Sequence, residues 1–314
     1  MVMRKRYIGI DLGGTNIKGA VVNERGEIIR QSTCPTHAEQ GAEAVTATIA
    51  DMIRDLAKGE DIAGVGLGCP GTVDDNCGTV VYACNLGWIN YDVRSALKKM
   101  TGFSVRLVND ANAAALAEVV AGAAKGAQSA VMVTLGTGVG GGIVVEGNLL
   151  HGAHGSGAEI GHLVLNRDET VPCNCGKYGC VEQYCSATGI VRLAKLHLAA
   201  TDAPSVLRGV EPLTCKDIFD AGKDGDKEAQ AILDQVYRYM GEFLANVCCV
   251  VNPEVVVIGG GVSKAGQVLI DGVVPYFKKY VFHAASEARF TLASLGNDAG
   301  AYGAFKLALD AFGK

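Results

Sequence analysis

Apolar positions in "RYIGIDLGGTNIKGAVVNERGEIIRQ" fall in short runs separated by glycine and charge. That pattern predicts three strands joined by tight turns at Gly13-Gly14 and from Glu24 to Gly26. The spacing then becomes helical from about 40 to 58 and returns to a strand in "IAGVGLG", which ends at Pro70-Gly71. A loop containing "NLGW" leads to a predicted helix near 92 to 101 and a strand, "SVRLV". "NDANAAALAEVVAGAA", rich in Ala and Leu, predicts a further helix. Residues 129 to 165 read as glycine-linked strands, and most of the remainder as helix, including a long one from about 226 to 250. The strand "EVVVIGGGVS", another near 290 to 295 and a closing helix from about 299 to 312 complete the pattern. Strands interleaved with helices predict an α/β fold with a largely parallel sheet.

One internal echo adds to this. Residues 8 to 22, "IGIDLGGTNIKGAVV", align without gaps on 131 to 145, "VMVTLGTGVGGGIVV", with five of fifteen positions identical. If it reflects duplication, the chain has two related halves, each offering a strand, a glycine turn and a strand. The expected division is a small domain of residues 1–118 plus the C-terminal helix 299–314, and a large domain of 119–298 carrying the cysteine-rich segment.

Composition narrows the classes. The chain has 314 residues, 49% hydrophobic and 19% charged, which suits a compact globular protein. Its 42 glycines are 13% of the chain (42/314), against a usual share of about 7%. A net charge of −5 argues against nucleic acid or an anionic membrane as the main partner. Asp11 interrupts the apolar run after the basic N-terminus too early for a signal peptide. The uncharged run "AVMVTLGTGVGGGIVV" is too short and too broken by glycine for a membrane span. A cytoplasmic protein is expected, whose eleven cysteines are mostly small buried apolar residues unless spacing says otherwise.

Glycine turns can also bind. In "DLGGT", Gly13 and Gly14 let successive N–H groups point at one anion, and Thr15 adds a hydroxyl. Gly136, Thr137 and Gly138 in "LGTGVGGG" offer the same equipment. Phosphate oxygens suit such amides, and Asp11 could hold Mg²⁺ or one of its waters. The plainer alternative is two hairpin turns that need positive φ. No Walker A sequence occurs.

"PCNCGKYGC" spaces three cysteines as a metal knuckle would: Cys173, Cys175 and Cys180 supply three thiolates for Zn²⁺. A fourth ligand must come from elsewhere; Cys185, His151 and His154 are candidates. A disulfide is disfavoured by the expected compartment. Asn109-Asp110, after a strand and at a helix start, reads on its own as a helix cap. Glu159 and Glu182 read on their own as solvated acids.

Taken in order, "DLGGT", "ND" before a helix, "LGTGVGGG", "EIGH", "CNCGKYGC" followed by Glu182, and "VVIGGGVS" resemble the ROK family over essentially the whole chain. That family groups bacterial sugar kinases with sugar-responsive repressors. The resemblance implies an actin-like (ribonuclease H-like) ATPase fold, two α/β domains with a cleft between them. "NLGW" and "EIGH" are most similar to the family's glucokinases. It implies Asp110 as general base, and Asn85, Asn109, Glu159, His162 and Glu182 as further sugar contacts. His162 becomes the fourth zinc ligand with Cys173, Cys175 and Cys180, so that a structural zinc orients the sugar pocket. Asp11, Gly13, Gly14, Thr15, Gly136, Thr137, Gly138, Gly260 and Gly261 fall on the Mg-ATP side. The expected reaction is ATP-dependent phosphorylation of glucose at the 6-hydroxyl.

A kinase for N-acetylmannosamine, fructose or allose is the nearer alternative, because similar residues read all these hydroxyls. A repressor is the remote one: only ten residues precede Asp11, leaving no room for a helix-turn-helix module. The resemblance also implies a homodimer or homotetramer. Nucleic acid and membrane are not expected as partners.

Overall fold

The computed structural model describes residues 5–153 and 155–313. Two compact units divide them: one of 1–127, 142–158 and 294–314, the other of 128–141 and 159–293.

The first unit opens with β1 (Arg6–Leu12), β2 (Asn16–Asn23) and β3 (Ile28–Pro35), an antiparallel meander. α1 (Ala42–Ala57) leads to β4 (Ile62–Cys69), parallel to β1. The segment read as a loop around "NLGW" instead contains β5 (Thr72–Asp74), β6 (Thr79–Ala83) and β7 (Trp88–Tyr91), a small antiparallel sheet. α2 (Val93–Thr101), β8 (Val105–Asn109) and α3 (Asp110–Val120) follow. The main sheet runs β3-β2-β1-β4-β8, so only β1, β4 and β8 are mutually parallel. One sheet face packs Ile8, Ile10 and Leu67 with Ile49 and Ile53 of α1 and Leu97 of α2.

β9 (Ala130–Leu135) and the start of β10 (Val139–Val145) belong to the second unit; the end of β10 and β11 (Asn148–Leu149) count with the first. α4 (Glu182–Cys185), α5 (Ala187–Ala199), α6 (Cys215–Lys223) and α7 (Lys227–Val251) precede β12 (Val255–Gly259). α8 (Gln267–Tyr280) and β13 (Arg289–Leu292) complete this unit, with β12 parallel to both β9 and β13. No helix among the described residues is long and apolar enough to cross a membrane.

The chain then returns to the first unit as α9 (Ala299–Phe312). The buried carboxylate of Glu118 receives it, accepting the N–H groups of Ser294 (2.9 Å) and Leu295 (3.0 Å). α9 lies directly on the sheet: a Cβ at Gly66 would sit 1.8 Å from Ala304 O, so this strand position must be glycine. Phe305 and Ala308 pack there with Tyr7, Ala20 and Val22.

Candidate active site and metal-ligand cluster

In the first unit Asp11 stands near the end of β1, paired with Lys18 on β2 and Gly68 on β4. Beyond it the chain turns. Gly13 N–H donates to Asn16 O (3.0 Å), while Thr36 donates its hydroxyl to Gly13 O (2.7 Å) and its N–H to Thr15 O (2.9 Å). Neither Gly13 nor Gly14 is in the left-handed region. A Cβ at Gly14 would come 3.5 Å from Asn85 Cβ, so the exposed Asn85 is the neighbour of this turn. Trp88, three residues on, is buried against Tyr91 and packs in the core.

Asn109, not Asp110, caps α3. Its Oδ1 accepts from Ala111 N–H (2.9 Å) and Asn112 N–H (3.3 Å), and its amide donates to Gly71 O (2.7 Å). Asp110 is left at the first helical position with an open face, its Oδ1 accepting Ala111 N–H (2.8 Å). Dense protein around that open face still raises its carboxyl above the usual range, against the pull of the Ala111 N–H. Asp11 is pushed up to about 6 by burial and then by the Asp110 charge, with Lys18 pulling the other way. α9 begins against it: Gly300 offers only a hydrogen where a Cβ would meet Asp11 Cγ at 2.2 Å.

In the second unit Gly136, Thr137 and Gly138 join β9 to β10, with Gly136 N–H donating to Gly138 O (2.9 Å). None of the three has positive φ. A Cβ at Gly136 would meet nothing within 4 Å, so nothing inside the protein demands glycine there. A Cβ at Gly138 would strike Glu182 Oε2 at 2.2 Å. The segment after the cysteines holds this turn from behind. Glu182 Oε2 accepts Val139 N–H (3.0 Å), Ala187 N–H donates to Gly136 O (2.8 Å), and Thr188 Oγ1 donates to Thr137 O (2.7 Å).

Gly260, after β12, has φ 84°, and a Cβ there would meet Leu135 O at 2.5 Å. Gly261 borders a cavity of about 400 Å³ whose wall also includes Ala187, Phe219, Val262, Lys216 and Lys264.

The ligand atoms of His162, Cys173, Cys175 and Cys180 lie within 4.8 Å of one another, a group able to hold a metal ion. Cys175 Sγ is 3.7 Å from Cys180 Sγ, and Cys173 Sγ is 3.9 Å from His162 Nδ1. Backbone builds this cluster. A bridge between Val164 and Cys180 and the bond from Val181 N–H to Leu163 O (2.9 Å) bring the two stretches together. Left-handed Gly176 and Gly179 fold the knuckle back on itself. Glu182 Oε1 lies 3.7 Å from Cys173 Sγ, so one carboxylate touches both the cysteine cluster and the glycine turn. Cys185 is buried on α4 and, like His151, is not in the cluster among the described residues; His154 lies outside those residues. Glu159 is exposed and directly precedes the turn that carries His162.

The predicted residues thus divide. Asp11, Gly13, Gly14, Thr15, Asn85, Asn109 and Asp110 are in the first unit; Gly136 to Gly138, Glu159, His162, the cysteines, Glu182, Gly260 and Gly261 are in the second. Thr36, Thr188, Gly300 and the cavity wall at Phe219 and Val262 escaped the sequence reading. Each acts across a gap in the chain that carries no local signal.

The sequence model of the ROK family matches residues 7–311. The chain is 40% identical over 306 residues to a glucokinase of Halalkalibacterium halodurans, covering 95% of this chain and 93% of that one. A glucokinase of Thermotoga maritima is 37% identical over 313 residues and 98% of both chains. The structure of a ROK family glucokinase from Streptomyces griseus, in complex with glucose and AMPPNP, matches with a TM-score of 0.77. Its sequence is 34% identical, over 97% of this chain and 99% of that one.

Proposed function

Because the chain belongs to the ROK family and has its actin-like α/β fold, we propose that it transfers the γ-phosphoryl group of ATP to the 6-hydroxyl of glucose. The observation that carries the nucleotide half is the double role of Ala187. Its N–H ties down the Gly136 carbonyl, and its side of α5 lines the cavity beside Gly261. A backbone turn suited to phosphate and a cavity large enough for a purine base therefore share one residue. The glycines agree: Gly14 and Gly136 are not left-handed, and at Gly136 the missing Cβ leaves open space for a ligand to come close to the amides.

On the sugar side, Asp110 is the general base. It is reachable, its carboxyl is raised toward the range where a carboxylate accepts a proton more readily, and Asn109 relieves it of capping α3. As the 6-oxygen attacks phosphorus, its proton passes to Asp110. Asn85, Asn109, Glu159, His162 and Glu182 orient the remaining hydroxyls, since amides and carboxylates together both donate and accept. Asp11, with Thr15 and the glycine turns, would hold Mg²⁺, which supplies charge neutralisation on the polyphosphate.

The cysteine cluster fits zinc. Tetrahedral coordination with Zn–S near 2.3 Å puts sulfurs about 3.8 Å apart, and Cys175 and Cys180 are 3.7 Å apart. Four protein ligands leave no position for a reactive water, so the role is structural. His162 turns Nδ1 toward Cys173, which leaves Nε2 for a sugar hydroxyl.

The test is a panel of glucose, N-acetylmannosamine, fructose and allose with Mg-ATP in a coupled assay. Highest kcat/KM for glucose, with the 6-phosphate as product, is the expected result. Preference for another sugar replaces glucose, and sugar-independent ATP hydrolysis as fast as transfer refutes the kinase reading.

A further inference from the structure

We propose that Thr36 and Thr188 are positioning residues that aim the amides of the two glycine turns at the ATP polyphosphate. The inference rests on the nucleotide role just given to those turns and names the side chains that set them.

In a trans peptide the carbonyl and the following N–H point in opposite directions, and the peptides of these turns are trans. Thr36 Oγ1 holds Gly13 O at 2.7 Å, so the Gly14 N–H is directed away from Thr36. In the other unit Ala187 N–H holds Gly136 O at 2.8 Å and Thr188 Oγ1 holds Thr137 O at 2.7 Å. The N–H groups of Thr137 and Gly138 are thereby both directed away from α5. The next amide, Val139 N–H, is already taken by Glu182. Each unit thus ties turn carbonyls back with a hydroxyl from a residue well separated in sequence, and leaves amides facing outward.

Neither hydroxyl is needed for the helix or strand that carries it. Ser186, not Thr188, caps α5 by accepting Gly189 N–H (2.9 Å). Thr188 is exposed, and its hydroxyl meets Thr137 O and the Ser186 hydroxyl (3.0 Å). Thr36 is buried just past the end of β3, with its hydroxyl turned onto Gly13 O. A glycine-containing turn released from such a bond can rotate its peptide planes, and an anion must then reorder them at the expense of affinity.

Valine matches threonine in shape but lacks the donor, and serine keeps the donor. Binding of Mg-AMPPNP and of adenosine, without sugar, is measured by calorimetry for the wild type, Thr188→Val, Thr188→Ser and Thr36→Val. Loss of one such bond is expected to weaken Mg-AMPPNP about 5- to 10-fold in Thr188→Val. Adenosine affinity, glucose KM and Tm stay at wild-type values, and Thr188→Ser binds as the wild type does. Wild-type affinity for Mg-AMPPNP in Thr188→Val overturns the proposal, as does an equal loss for adenosine, which marks a general structural effect. Thr36→Val, at a buried site, supports the proposal only if its Mg-AMPPNP loss exceeds its adenosine loss; otherwise Thr36 is a packing residue and the two-turn proposal fails. A wild type that binds Mg-AMPPNP but phosphorylates no sugar refutes the kinase reading and leaves this one standing. One that binds no Mg-AMPPNP refutes both.

Discussion

The carboxylate of Asp11 rests on Gly300, where a Cβ would fall 2.2 Å from Asp11 Cγ and 2.3 Å from Oδ2. A residue in the first turn of the last helix therefore shapes the site of a residue on the first strand. Gly300→Ala is expected to push Asp11 off its position and to lower kcat/KM for Mg-ATP at least 10-fold. Overpacking should also lower stability by about 1–3 kcal/mol. A Mg²⁺ titration of the rate, alongside Tm, checks both; an unchanged Mg²⁺ dependence would remove Asp11 from the metal side of the site.

Asp11 also makes a prediction about pH. Its folded value of about 6 exceeds the unfolded 3.8, so the folded state binds the extra proton between those two values. Stability is then highest below about pH 4 as far as this group is concerned, and falls as pH rises toward 6. At pH 7.5, Asp11→Asn should be more stable than the wild type, by at most about 3 kcal/mol, while losing activity. Denaturant melts at pH 4.5 and 7.5 would show the advantage shrinking at the lower pH.

Asp110→Asn should lower kcat by about 10²- to 10⁴-fold with no loss of Tm, since Asn109 rather than Asp110 caps the helix. Because burial raises the Asp110 carboxyl, activity should fall with decreasing pH at a point above the usual carboxylate range. Near-normal turnover of the variant would end the general-base assignment.

Cys175→Ser tests the cluster. Its sulfur is 3.7 Å from Cys180 Sγ, and the same segment leads to Glu182. Metal content by elemental analysis should fall, and glucose KM should rise at least 10-fold, the scale expected when support of a metal site is lost. Retention of metal and of sugar affinity together would leave the cluster without the proposed role.

Much of this architecture was legible in the chain because local chemistry carries it. Gly13-Gly14 and Glu24 to Gly26 punctuate the first meander, and alanine-rich spacing marks α3. The three-stranded sheet between Thr72 and Tyr91 was not legible: its strands are as short as three residues, and exposed Tyr82 and Ile89 blur its alternation. The expectation of a largely parallel sheet missed that β2 and β3 run antiparallel on its edge. Sequence also cannot separate a glycine kept for positive φ from one kept for close approach. Here Gly260 is the first kind, and Gly136 is not. The partnership of His162 with the cysteines came from family resemblance, since eleven residues separate it from Cys173 and the bridge at Val164 that joins them is set by folding. Thr188 reaches Thr137 across 51 residues, and no pattern in either neighbourhood announces it.

The return of α9 has a consequence for how the protein is made. Phe305 and Ala308 are buried against Tyr7, Ala20 and Val22, and they are synthesised only after the whole second unit. On the ribosome, the first unit emerges first yet finishes last, with one face of its sheet uncovered while more than half the chain is still being translated. The second unit is free to mature in the meantime. Nascent-chain pulse proteolysis should therefore find the N-terminal strands cleavable until α9 leaves the exit tunnel.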